Sequence, residues 1–210
     1  MSNSDFFKKN NYTIIRNFLT PDVTVLLYEY CKLQANRVSA KYEVDLQSYN
    51  QNWDGRFNDP QAPGTYSHYG DPIMDSVLYL SLNKMNEHTG LDLLPQYSYW
   101  RLYTKGSDLK KHKDRESCEI STTLCLGMDT SNVEDNTYVW PIFMNGEEVN
   151  LNPGDMVIYR GCLLEHWREE YKGLNHAQVF LHYNDRQGPY NKLFDERTSL
   201  GLPKNIKLFR

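Results

Sequence analysis

Apolar residues recur with two different periods along the chain, and the change of period divides it. Residues 12–18, YTIIRNF, are a β-branched and aromatic run that predicts a first strand. Thr20-Pro21 then offers an N-cap followed by proline at the first helical position. The run DVTVLLYEYCKLQANRV sets Val23, Leu26, Leu27, Tyr30 and Leu33 at helical spacing. Residues 38–70 are polar and broken by Gly, Pro, Asn and Asp, with Trp53, Phe57, Tyr66 and Tyr69 among them. They predict a long loop with room for a hairpin, and loops of that length often cover a site. Asp71-Pro72 opens a second helix that closes near Gly90, with Ile73, Val77, Leu80, Leu82 and Met85 as its expected buried face. Beyond it the period falls to two. SYWRLY, EISTTLCLG, TYVWPIFM, EEVNLN, MVIYRG and HAQVFLHY are short strand-like runs separated by Gly, Asn, Asp and Pro. Helices followed by six or more short strands predict a sandwich or barrel with helices packed on one sheet. Residues 1–210 read as one domain, with a helical part to about residue 92, a β core over 93–185 and an extension over 186–210.

Composition narrows the function classes. A net charge of −4 without long like-charge blocks leaves no nucleic-acid arm. No apolar run approaches the roughly 18 residues of a membrane span, and the first residues lack the apolar stretch of a signal peptide. The four cysteines form no CxxC pair, which points to reduced thiols and a cytoplasmic protein. Sixteen tyrosines fit β-rich packing. Oligomeric state is not encoded in any feature of this kind.

The candidate chemistry lies in YTKGSDLKKHKD, Tyr103 to Asp114. In a strand, residues i and i+2 share a face, so His112 and Asp114 converge. One imidazole and one carboxylate make two-thirds of the triad that holds non-haem Fe(II) with open positions. His166 is the candidate third ligand, since it follows NPGDMVIYRGCLLE, a turn and an apolar strand. Ser121, Thr123 and Cys125 alternate on one strand face, where they line a pocket or fill a small-residue core. His182 reads as structural, Trp140 as core, and His68 and His88 carry no assigned role.

The pattern Y-x-x-G-(x5)-H-x-D at Tyr103, Gly106, His112 and Asp114, the Gly154-Asp155 turn and the distal His166 together resemble the Fe(II)/2-oxoglutarate-dependent oxygenases, prolyl-4-hydroxylase-like branch. The resemblance covers residues 95–185 well and the N-terminal helices loosely. It implies a mainly β fold, the double-stranded β-helix or jelly roll, with the N-terminal helices on one sheet. It implies Fe(II) on His112, Asp114 and His166, 2-oxoglutarate held in part by Tyr103, and O2 as oxidant, with ascorbate in a supporting role. The implied reaction hydroxylates a C–H bond, of a prolyl residue in a peptide or protein or of a small molecule, with release of succinate and CO2. Members of that branch carry Arg or Lys nine or ten residues after the distal histidine, to pair with the 5-carboxylate of 2-oxoglutarate. Here those positions are Asn175 and His176. Arg168 is two residues after His166 and Arg101 two before Tyr103, so each shares its partner's face, while His176 and Gln178 share a face of the last strand. Arginine best matches a carboxylate, because its planar fork donates two parallel hydrogen bonds. Arg168 is therefore the expected anchor, with Arg101, Gln178 and His176 as helpers. A cupin-like metal-binding or sensing module, or an interaction scaffold, stays open beside the oxygenase reading.

Overall fold

The computed structural model describes residues 2–57, 59–195 and 197–203. Residues 204–210 of the predicted extension lie outside the described residues. The elements run α1 (Asn3–Asn10), β1 (Tyr12–Ile15), α2 (Pro21–Val44), α3 (Gln51–Asp54), β2 (Tyr66–Tyr69), α4 (Pro72–Thr89), β3 (Leu93–Thr104), β4 (Leu109–His112), β5 (Ile120–Asp129), β6 (Ile142–Met144), β7 (Glu147–Val149), β8 (Met156–Arg160), β9 (His166–Arg168) and β10 (Asn175–Asp185). Two antiparallel sheets face each other. The larger has the order β1-β8-β5-β10-β3-β2 and the smaller β4-β9-β6-β7. This is the expected mainly β double-stranded β-helix, with helices on the outer face of the larger sheet.

Strand alternation explains why one sheet serves two purposes. Along β10, Ala177, Val179, Leu181 and Tyr183 face the helices and join a core with Leu27, Cys31, Met74 and Leu78. The other register of the same strand holds His176, Gln178, Phe180 and His182, all buried between the sheets. On β5, Ile120, Leu124 and Leu126 face the helices, while Ser121, Thr123 and Cys125 face inward. A sheet covered on both sides normally reads as continuously apolar. Here the inner register is polar, and that departure marks the interior as a site.

The helix faces differ from the predicted ones. In α2 the buried residues are Thr24, Leu27, Cys31, Ala35 and Val38, whereas Val23, Leu26 and Leu33 are exposed. The Tyr28 ring lies so near the sheet that a Cβ on Gly127 would come within 2.5 Å of it, so small side chains face inward. In α4, Met74, Leu78, Ser81 and Met85 are buried and Leu80 is exposed, one step from the expected stripe. The predicted loop is shorter than 38–70, because α2 runs to Val44 and the segment contains α3 and β2. TYVWPIFM is a strand only over Ile142–Met144.

Two carboxylates fix the frame. Asp71 caps α4, accepting from the backbone N–H of Ile73 at 2.9 Å and Met74 at 3.3 Å, and also accepts from Tyr30 and the Trp100 indole. Asp155 of the Gly-Asp turn accepts from the backbone N–H of Asn17 and Asn152 and from Arg16, so the turn ties β1 to β8. The C-terminal extension is clamped by a buried pair between Arg197 and Asp75, 2.6 Å apart. Among the described residues no helix is long and apolar enough to cross a membrane.

Candidate metal centre

His112 is the last residue of β4 and Asp114 lies just past it, where the Asp114 N–H donates to the Gly161 carbonyl at 2.9 Å. His166 opens β9, which pairs with β4 so that His112 and His166 are register partners. The two His Nε2 atoms stand 3.7 and 3.5 Å from Asp114 Oδ1. All three ligand atoms lie within 4.8 Å of one another, a spread that one ion with bonds of about 2 Å can gather.

The protonation pattern fits a metal. His112 Nδ1 donates to the Lys110 carbonyl at 2.8 Å and His166 Nδ1 to the Leu164 carbonyl at 3.0 Å. With each Nδ1 tied to a carbonyl, each Nε2 faces the centre as the atom available to a metal. Burial and the neighbouring His166 push the His112 pKa down, which keeps the ring neutral. Burial alone would raise the Asp114 carboxyl, but hydrogen bonding and charge from His166, with help from His182 and Ser121, hold it down to about 2. The centre thus presents two imidazoles and one carboxylate on one side of an open cavity, the donor set of the Fe(II) facial triad.

Behind the ligands lies support that the sequence did not disclose. Ser121 Oγ donates to Asp114 Oδ2 at 2.6 Å, and His182 Nδ1 lies 3.0 Å from the same Oγ. Because the serine proton goes to the carboxylate, His182 donates to the serine oxygen. His182, read as structural, therefore orients a ligand through Ser121. Gly161 is as important sterically, since a Cβ there would stand 2.4 Å from Asp114 Oδ2.

A cavity of about 530 Å³ opens beside the triad, with the buried Tyr97, Thr123, Tyr159 and Phe180 in its wall and the more exposed Arg56 and Arg115 toward its rim. Behind Tyr159 lies a buried polar cluster between the sheets. Its centre is Arg168, 3% exposed, whose Nη1 donates to the Trp140 carbonyl at 2.6 Å and whose guanidinium stacks 4.6 Å from the Trp140 ring. Among the described residues its Nε and Nη2 have no hydrogen-bond partner, nor do His176 Nδ1, Gln178 Oε1 and Thr123 Oγ1, all buried. Burial pushes the Arg168 pKa down, and burial together with Arg168 pushes His176 well down. Tyr103 is fully buried in the aromatic cluster with Trp140 and Tyr171 beside this polar one.

The four anchor candidates separate clearly. Arg101 is already paired: it donates to Asp59 Oδ2 at 2.6 and 3.1 Å, to Gln61 at 2.6 Å and to the Tyr103 hydroxyl at 3.3 Å. Gln178 contacts His176, and His176 Nε2 lies 3.7 Å from Cys125 Sγ. Only Arg168 among them brings an unpaired charge. His68 and His88 are distant from the triad, in contact with Asp71 and Asn3.

No known family model matches the sequence, and no curated protein matches it. Solved structures do match the fold. A prolyl-4-hydroxylase of Pseudomonas putida superposes with a TM-score of 0.63 at 17% identity, over 87% of this chain and 97% of that one. EctD of S. alaskensis, solved with 2-oxoglutarate and 5-hydroxyectoine, gives 0.58 at 13% identity, over 87% and 74%. A prolyl hydroxylase of Trichoplax adhaerens, in complex with a hypoxia inducible factor peptide, gives 0.55 at 14% identity, over 88% of each chain. These likenesses establish a shared double-stranded β-helix fold.

Proposed function

We propose that the chain is an Fe(II)- and 2-oxoglutarate-dependent oxygenase that hydroxylates a C–H bond with release of succinate and CO2. The observation that carries the reading is the pairing of a metal-ready triad with an unpaired buried guanidinium two residues along the same strand. His166 and Arg168 share a face of β9 and stand roughly 7 Å apart along it. A five-carbon dicarboxylate has the reach to bind metal at one end and arginine at the other. An uncompensated buried charge is costly, and a fold that keeps one is supported by an anionic partner.

His112, Asp114 and His166 would hold the iron, leaving adjacent positions toward the cavity. When bound, iron and 2-oxoglutarate supply the O2-activating chemistry, and the protein positions them. Arg168 would take the far carboxylate through Nε and Nη2. Thr123 and Tyr103 would complete the binding from β5 and β3, with His176 and Gln178 as polar wall. Ser121 and His182 would keep Asp114 oriented. The Asp59–Arg101 pair would hold the segment around Gln61 and Ala62 against Tyr103. Among the proteins of this fold described above, one was solved with a peptide and one with 5-hydroxyectoine, a small molecule. A prolyl residue is therefore one substrate to examine, and a metabolite the other.

The test is substrate-free turnover. With Fe(II), ascorbate and O2, the purified protein is expected to convert 2-oxoglutarate slowly to succinate. Succinate no higher than in a metal-free control would favour a metal-binding sensor instead.

A further inference from the structure

We infer that the substrate of this site is an acid whose carboxylate is taken up by Arg115, so that Arg115 selects the substrate. The inference rests on the oxygenase reading above. It starts from charge. Four cationic side chains, Arg56, Arg101, Lys113 and Arg115, line the cavity against two carboxylates, Asp59 and Asp114. That leaves two positive charges over, in a chain whose net charge is −4. A divalent metal and a dianionic cosubstrate cancel each other, so the surplus remains once both are bound. A cleft of one sign attracts ligands of the other.

The surplus is not spread evenly. Arg101 is neutralised by Asp59, 2.6 Å away, and Arg56 stands 4.0 Å from the same carboxylate. Arg115 contacts the Tyr97 hydroxyl at 2.9 Å and the Cys118 thiol, neither of which is a carboxylate. Its guanidinium lies 5.2 Å over the Tyr97 ring, and that ring is itself packed 4.8 Å from Tyr69 and 4.5 Å from His182. Arg115 is thus held in place at the cavity wall, immediately after the ligand Asp114, with donors left to give. Preorganised donors lose little entropy when a ligand arrives. Arg115 and Tyr97 also line an adjoining recess of about 250 Å³ whose other walls include Glu116 and Asp195. Asp195 is paired with Arg197, and Glu116 borders the recess but not the cavity. Arg115 lines both the recess and the cavity. A single guanidinium matches a carboxylate in a bidentate pair.

The experiment uses the full chain loaded with Mn(II) and 2-oxoglutarate without oxygen, and ligand-observed NMR. The probes are each free amino acid beside its carboxamide, blocked tetrapeptides with and without Asp or Glu, and inorganic phosphate. At least one acid is expected to bind, with its amide about tenfold or more weaker. Arg115→Gln is expected to remove the same factor and Arg115→Lys to restore part of it. Binding of free acids alone identifies a small molecule, and binding of acidic blocked peptides identifies a peptide carboxylate. Acid and amide binding alike, phosphate binding in preference to every carboxylate, no probe binding, or an acid preference that survives in Arg115→Gln would each overturn the inference. Failure of Mn(II) and 2-oxoglutarate themselves to bind would instead sink the oxygenase reading, and this inference with it.

Discussion

Replacing Arg168 by methionine is expected to move stability and ligand binding in opposite senses. Arg168 is buried, with Nε and Nη2 lacking partners, and its one hydrogen bond goes to the Trp140 carbonyl. An uncompensated buried charge costs a fold roughly 3–5 kcal/mol. Methionine removes that cost, keeps most of the volume, and loses a charged hydrogen bond of about 1.5–3 kcal/mol. Local relaxation offsets part of the cost, so the ligand-free variant is expected to be about 0–2 kcal/mol more stable than the parent. Binding should suffer in turn. Losing a buried charge-assisted pair costs on the order of 2–4 kcal/mol, a rise of tens to hundreds of fold in the dissociation constant of 2-oxoglutarate. Urea denaturation with Mn(II), with and without 2-oxoglutarate, reads both effects. At a hundred times its dissociation constant the ligand stabilises the parent by about 2.7 kcal/mol, and a variant binding a hundredfold more weakly by about 0.4 kcal/mol. A ligand-free variant destabilised by more than about 1 kcal/mol, or one that binds 2-oxoglutarate like the parent, would refute the reasoning. Were His176→Ala to lose binding steeply in its place, the anchor would sit at the position used by the prolyl-4-hydroxylase-like branch.

Gly161→Ala should weaken Fe(II) binding about 10- to 100-fold without replacing a ligand, because the new Cβ meets Asp114 Oδ2 and the Cys118 carbonyl, each at 2.4 Å. Metal titration checks this, and affinity equal to the parent's would disprove it. Asp71→Asn tests the frame. Burial alone would raise the Asp71 pKa, but the neighbouring His68 ring, 3.3 Å away, and the hydrogen bond from Tyr30 outweigh it and hold the group below its ordinary value of 3.8. A depressed folded pKa gives stability that is complete above the unfolded value and lost as pH falls through the folded one. The variant's deficit should therefore be about 1.5–3 kcal/mol at pH 7 and shrink below about pH 4. A deficit independent of pH would count against the charge of Asp71 as its source.

The site was more legible than the helices, and for a physical reason. Strand periodicity carries over directly into side-chain direction, so spacing and turn order grouped His112, Asp114 and His166, while Arg168 entered as one of four anchor candidates that the family resemblance called for. The helices lie close to the sheet, and there small residues such as Cys31 and Ala35 pack inward while Leu26 and Leu80 stay exposed. An apolar stripe could not reveal that. Arg101 and Arg168 look alike in sequence, since each stands two residues from a motif position. Asp59 separates them, 42 residues from its partner Arg101 in the chain, and only folding brings it there. The Ser121–His182 support for Asp114 was hidden similarly. The inward polar register of β5 carried the signal, but no local pattern tells a ligand's partner from a small core residue.

The most direct test of the central claim is an anaerobic titration of the purified protein with Fe(II) and then 2-oxoglutarate, followed by visible absorption. One Fe(II) per chain should bind, and 2-oxoglutarate should then raise a weak metal-to-ligand charge-transfer band that is absent in Asp114→Ala and reached only at far higher ligand concentration in Arg168→Met. Iron that binds without such a band, or a band that survives unchanged in Asp114→Ala, would contradict the account.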